Sequence, residues 1–153
     1  MIVKQHFHQE PNSKLSATDI QNVKTILVSA EWIKRKSAKE FRSDILRTLA
    51  ELGWSDRVRI DQRSNINITS VLHETGLCIQ TGNMSRFYAD ILKLETLFRK
   101  NLIKGAIYII PLKSWANEIG SNVANYERLI EELDIFSATV TIPIVVFGIS
   151  GRN

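Results

Sequence analysis

Apolar and polar residues along this chain change period twice, and the changes divide it into elements. Residues 1 to 8 alternate weakly, which predicts an edge strand. Ser16 or Thr18 then stands as a cap before Ile20, Val23, Ile26 and Leu27, a helical stripe that ends near Trp32. A second helix starts at Ser37, with Glu40 as its capping-box partner and Phe41, Ile45, Leu46, Leu49 and Leu52 at helical spacing, and Gly53 stops it.

After Trp54 the period falls from about 3.6 to 2. Val58 and Ile60 predict one short strand, Ile66 to Leu72 a second, and Leu77, Ile79 and Thr81 a third. Gln62 to Asn65 supply one turn, and His73-Glu74-Thr75-Gly76 reads as a four-residue hairpin loop with Gly76 in the left-handed position. Helical spacing returns from Met84 to Leu102 with Met84, Phe87, Tyr88, Ile91, Leu94 and Phe98 as the apolar stripe. Ala106 to Ile110 is apolar throughout and follows a helix, the signature of a buried parallel strand. Helices near 114–119 and 123–136 and a strand near 142–147 complete the order. A strand meander followed by helix and strand alternation implies an α/β (α+β) fold, a mixed central sheet with helices on both faces.

The 153 residues, 44% hydrophobic and 24% charged, fit one domain over 1–153, with a mobile stretch expected near Pro11 to Lys14. No apolar run is long enough for a bilayer span. The amino terminus lacks the pattern of a secretory signal and Cys78 is the single cysteine, so a reducing cytoplasm is expected. The net charge of +4 is uneven: residues 31–63 carry nine basic and six acidic groups, whereas 118–134 carry one basic and five acidic. One basic and one acidic surface are expected, which permits nucleic acid as a partner without requiring it.

The densest basic run is Lys34-Arg35-Lys36, followed by Lys39 and Arg42; with Arg57, Arg59 and Arg63 it suits a phosphate backbone, or equally a solvated face. Trp32 and Trp54 read as packing at the ends of helices. His6 and His8 share a strand face but have no third metal ligand nearby in sequence. Gln80, Asn83, Arg86, Asn122 and Asn125 are candidate binding groups, since amides around a helix start can hold phosphate or a carboxylate, while Asn83 is also a good helix cap.

The segment Ile68 to Asn83, with its Gln-x-Gly-Asn turn at Gln80 to Asn83, feeds the aromatic-rich stretch Met84-Ser85-Arg86-Phe87-Tyr88. Together with Ala106 to Pro111 and Gly120 to Leu129, it resembles the BglII type of restriction endonuclease, within the PD-(D/E)XK nuclease superfamily. The resemblance spans about Phe41 to Ile149. It implies a divalent-metal site made by an acid on one strand and a Glu-x-Gln on the next, where hard oxygen ligands hold Mg²⁺ and the ion activates water. Matching the hairpin puts Thr69 or Ser70 at the acid, Cys78 at the glutamate and Gln80 at the glutamine. Only the glutamine remains, and a thiol and a hydroxyl cannot gather the charge that magnesium needs.

A restriction-endonuclease fold that binds without cleaving is therefore expected, with no metal or other cofactor. Its partner would be DNA or a protein such as a toxin, which an immunity protein or antitoxin would neutralise, and a homodimer is compatible with the family. The alternative is a divergent Mg²⁺-dependent endonuclease in which Glu40, Asp44 or Asp61 rebuilds the site. Against it, Glu40 reads as a capping-box residue and Asp44 as a partner of Arg47 or Lys39.

Overall fold

The computed structural model describes residues 1–30 and 37–151. Its centre is a five-stranded mixed sheet in the order β1-β7-β6-β5-β4, built from β1 (Ile2–His8), β4 (Ser70–Leu72), β5 (Thr75–Ile79), β6 (Gly105–Pro111) and β7 (Ile144–Ser150). Strands β5, β6 and β7 run parallel, and β1 and β4 close the two edges antiparallel. A separate two-stranded ribbon pairs β2 (Val58–Arg59) with β3 (Asn67–Ile68).

Alternation along the central strands makes two cores. On one face Ala106, Tyr108, Ile110, Ile144 and Val146 meet Phe87, Ile91 and Leu94 of α3 (Ser85–Arg99) and Leu129 and Leu133 of α5 (Tyr126–Ile135). On the other, Ile107, Ile109, Val145, Phe147 and Ile149 meet Val23 and Leu27 of α1 (Ala17–Ser29), Phe41, Ile45 and Leu49 of α2 (Ala38–Glu51) and Trp115 of α4 (Lys113–Ile119). A strand buried on both faces must read as a continuous apolar run, which is why β6 lacks polar alternation. The mixed sheet with helices on both faces is the architecture expected from the sequence.

Several boundaries differ for local reasons. Helix α1 is capped by the Ser16 hydroxyl, which accepts from the Asp19 N–H, and it ends at Ser29. Trp32 and Lys34-Arg35-Lys36 lie outside the described residues. The stretch expected to be mobile holds a turn of 3-10 helix at Pro11–Ser13 with Pro11 buried. The run expected as one strand from Ile66 to Leu72 is divided at Thr69 into β3 and β4, which belong to different sheets.

The hairpin loop has two residues rather than four. Leu72 pairs with Thr75, and His73 (φ 46°) and Glu74 (φ 60°) take the left-handed conformations of a two-residue turn. Gly76 lies inside β5, where a Cβ would meet Leu94 Cδ2 and Ile103 Cδ1 at 3.0 Å, so the glycine serves close packing of α3 on the sheet. Helix α5 begins at Tyr126, because Asn125 caps it and Val123 is engaged in a bridge with Asn83. Strand β7 starts at Ile144 and reaches Ser150, in register with β6 from Ala106↔Ile144 to Pro111↔Ile149. Trp54 is buried in the second core, as the packing reading expects.

Candidate functional site

A parallel sheet opens a crevice beyond the carboxyl ends of its strands, and here the crevice forms where β5 ends. Gln80 extends β5 by donating its N–H to the Ile109 carbonyl at 2.9 Å, and the chain then turns through Gly82 into α3. The resulting cleft, of about 620 Å³, is walled by Lys39 and Arg42 of α2, by Arg57, by Asn67 to Thr69 and by Arg86, Asp90 and Lys93 of α3. Five cations thus face one carboxylate. A smaller apolar depression of about 240 Å³ lies between α3 and α5; Glu95 and Glu132 at its edge are already bonded to Thr141 and Arg128. Convergent polar groups are what make a depression a chemical site, so the candidate is the cleft.

Asp90 anchors the cleft wall. Only 9% exposed, it accepts on Oδ2 from Gln80 Nε2 at 2.7 Å and from the Tyr108 hydroxyl at 2.9 Å, and on Oδ1 from Lys93 Nζ at 3.3 Å. Buried charge is tolerated only with this density of partners. Gln80 is held at both ends of its amide, because its Oε1 accepts from the Gly82 N–H at 2.9 Å and so fixes the turn into α3.

Arg42 reaches across from α2 to the opposite side of the hairpin. Its Nη1 donates to the Ile79 carbonyl at 3.3 Å and its Nη2 to the Thr69 hydroxyl at 3.5 Å, and that hydroxyl also accepts from the Ile79 N–H at 3.4 Å. Burial and then the neighbouring Arg57 lower the pKa of Arg42 below its ordinary value, while Asp90 opposes the shift. An arginine remains charged under such pressure. Cys78 is 2% exposed, and burial first, then the Asp90 charge, pushes its thiol well above its ordinary range. It is a neutral core residue, as its place between Leu77 and Ile79 suggests.

Of the residues singled out in the sequence, Lys39, Arg42, Arg57, Thr69, Gln80 and Arg86 line the cleft, and Cys78 lies in the core. The Asn83 side chain is spent on the turn before α3, whose N-cap is Met84: its Oδ1 accepts from the Ser85 N–H at 2.9 Å and from the Ser85 hydroxyl at 3.0 Å. Asn122 and Asn125 lie away from the cleft; Asn122 accepts from the Met84 N–H through its carbonyl, and Asn125 accepts from the Arg128 N–H at 3.1 Å as the cap of α5. Arg59 belongs to β2 and does not line the cleft. Ser70, the other candidate for the acid position, is buried and donates its hydroxyl to the Ser55 carbonyl at 2.6 Å.

The relocated acids are occupied elsewhere. Glu40 closes the capping box, accepting from the Ser37 N–H at 2.7 Å, and Asp44 accepts from Arg47 at 3.1 Å. Asp61 is chelated by Arg63, whose hydrogen bonds hold its carboxyl below the usual range. His8 is bonded to the Val140 carbonyl at 2.7 Å, and His73 pairs with Asp19 at 2.9 Å. Sequence reasoning passed over Asp90, Tyr108 and Lys93. The signal for Asp90 was present: it stands three residues after Phe87 and four before Leu94, a charge on the apolar face of a helix.

The comparisons with known proteins bear on the fold and the family. The crystal structure of restriction endonuclease BglII complexed with a DNA 16-mer is similar with a TM-score of 0.81 and 16% identity, over 97% of this chain and 76% of that one. That of free BglII gives 0.74 at 16% identity, over 99% and 81%. Identity this low establishes the fold alone. None of the curated protein sequences matches the chain. The family model for restriction endonuclease BglII/BglIII matches residues 4–149, nearly the whole chain, which therefore belongs to the BglII/BglIII restriction endonuclease family.

Proposed function

We propose that this protein holds nucleic acid by its phosphates in the cleft and does not hydrolyse it. The observation that carries the reading is Arg42, a guanidinium placed between the Thr69 hydroxyl and the Ile79 carbonyl. By the family resemblance, Thr69 stands at an acidic metal ligand and Ile79 lies between the positions of the Glu-x-Gln. A fixed positive charge there repels a divalent cation. The donors do not suit Mg²⁺ either: a hydroxyl, a neutral buried thiol, and one carboxylate, Asp90, whose two oxygens already serve Gln80, Tyr108 and Lys93.

The same cation attracts phosphate, and Lys39, Arg57, Arg86 and Lys93 surround it. BglII is seen in complex with a DNA 16-mer, which supports DNA as the ligand class for this relative. A protein partner such as a toxin has less support, since part of the acidic stretch 118–134 that would face it is already engaged. There Glu127 accepts from the Lys113 N–H at 2.7 Å and Glu132 from Arg128 at 2.7 Å, so part of that charge is spent within the fold.

The test is to incubate purified protein with plasmid DNA in Mg²⁺, Mn²⁺ or EDTA. Intact DNA in every buffer, together with retarded migration that persists in EDTA, is expected. Cleavage abolished by EDTA would contradict the reading, and its loss in Asp90→Asn would identify the relocated acid.

A further inference from the structure

We propose that the floor of the cleft takes a phosphomonoester dianion, the terminal phosphate of a nucleic-acid strand, with Arg42 as the group that grips it. This deepens the nucleic-acid reading above and rests on it. The first argument is the charge balance. Asp90 is paired with Lys93, whereas Lys39, Arg42, Arg57 and Arg86 have no carboxylate within ion-pair distance among the described residues. Arg57 lies close enough to Arg42 to disfavour its charge. Such a cluster is relieved more by a dianion than by the single charge of a phosphodiester.

The second argument is depth. Arg42 is partly buried whereas Lys39, Arg57 and Arg86 are exposed, so it lies deeper in the cleft than they do, and its bonds to Ile79 and Thr69 are long. Two bonds of 3.3 and 3.5 Å leave a guanidinium with five N–H groups able to offer a fork to a new acceptor. An internal phosphodiester carries a sugar on two of its oxygens and must keep both strands of chain outside. A terminal phosphate carries one, presents three free oxygens and can descend to the floor. A cleft of about 620 Å³ has room for a nucleotide-sized group.

The experiment measures fluorescence anisotropy of one internally labelled DNA oligonucleotide bearing a 5′-phosphate, a 3′-phosphate or neither, in EDTA at low salt. One terminal phosphate should tighten binding about tenfold, as expected of a bidentate charge-assisted contact. The advantage should fade below about pH 6, where the phosphate loses its second charge. Arg42→Gln should abolish it and Arg42→Lys retain part. Should Arg42→Gln fail to fold, Arg86→Gln on the exposed rim should halve the advantage or more, and inorganic phosphate should raise the melting temperature of the wild type. A nucleoside monophosphate that competes at the same concentration as the phosphorylated oligonucleotide assigns the dianion to a free nucleotide; one that competes only far above it assigns it to a strand end. Equal binding of all three oligonucleotides, or an advantage that survives in folded Arg42→Gln, overturns the proposal and leaves the nucleic-acid reading standing. No binding of any oligonucleotide overturns both.

Discussion

At the scale of single residues, the site is defined by exchanges of charge. Where the family resemblance implies an acid there is Thr69, where it implies a glutamate there is Cys78, and Arg42 donates to the Thr69 hydroxyl. This has a consequence for restoring the metal site. Thr69→Asp with Cys78→Glu supplies two carboxylates, yet the first would pair with Arg42 at the position its Nη2 already occupies. The double mutant should gain no melting temperature from Mn²⁺, whereas adding Arg42→Met should create a response, up to about 2.7 kcal/mol at a metal concentration one hundred times the dissociation constant. Equal metal responses in the double and triple mutants would show that Arg42 does not guard the site. Thr69 and Cys78 read as departures from the family's pattern because that pattern is local in sequence. The Arg42 contact was not, since it joins residues 27 and 37 positions apart through the packing of α2 on the sheet. In sequence Arg42 reads only as a member of a basic cluster, with nothing to tie it to Thr69 or Ile79.

At the scale of elements, helices with strong local signals match their sequence patterns best. The Ser37 and Glu40 capping box fixes the start of α2, and the uniform burial of β6 makes its apolar run unmistakable. The β2 to β5 region was harder to read. Alternation cannot tell a strand that stays in one sheet from one that leaves it, and Thr69 marks such a departure. A long-range contact also places the entry to β7. Glu95 of α3 accepts from the Thr141 hydroxyl at 2.6 Å, the Thr141 N–H at 3.0 Å and the Ile142 N–H at 2.9 Å. Burial alone would raise the pKa of this carboxyl, but these bonds and Arg99 outweigh it and hold it below the ordinary 4.5. A depressed folded-state pKa means that the contribution is complete above pH 4.5 and disappears as the pH falls through the lower folded value. Glu95→Gln should therefore lower the melting temperature at pH 7 by an amount equivalent to about 1–3 kcal/mol, and the deficit should shrink in acid below pH 4.5. A deficit independent of pH, in melting curves of both proteins from pH 7 downward, would contradict the assignment.

At the scale of the whole molecule, the fold of a restriction endonuclease family supplies a crevice, and this chain fills it with positive charge. Composition alone permitted that outcome without choosing it, because a net charge of +4 is modest. The choice comes from topology, which brings Lys39 and Arg42 of α2, Arg57, and Arg86 and Lys93 of α3 to the same end of the sheet. Binding at such a site releases counterions in proportion to the phosphates neutralised. The most direct test is the salt dependence of affinity for DNA in EDTA. Log affinity should fall linearly with log salt at about −0.9 per phosphate contact on a duplex or −0.7 on a single strand, and Arg57→Gln and Arg86→Gln should each flatten the slope by about one contact. A shallow slope that neither substitution changes, or no binding at low salt, would contradict phosphate capture by the cleft.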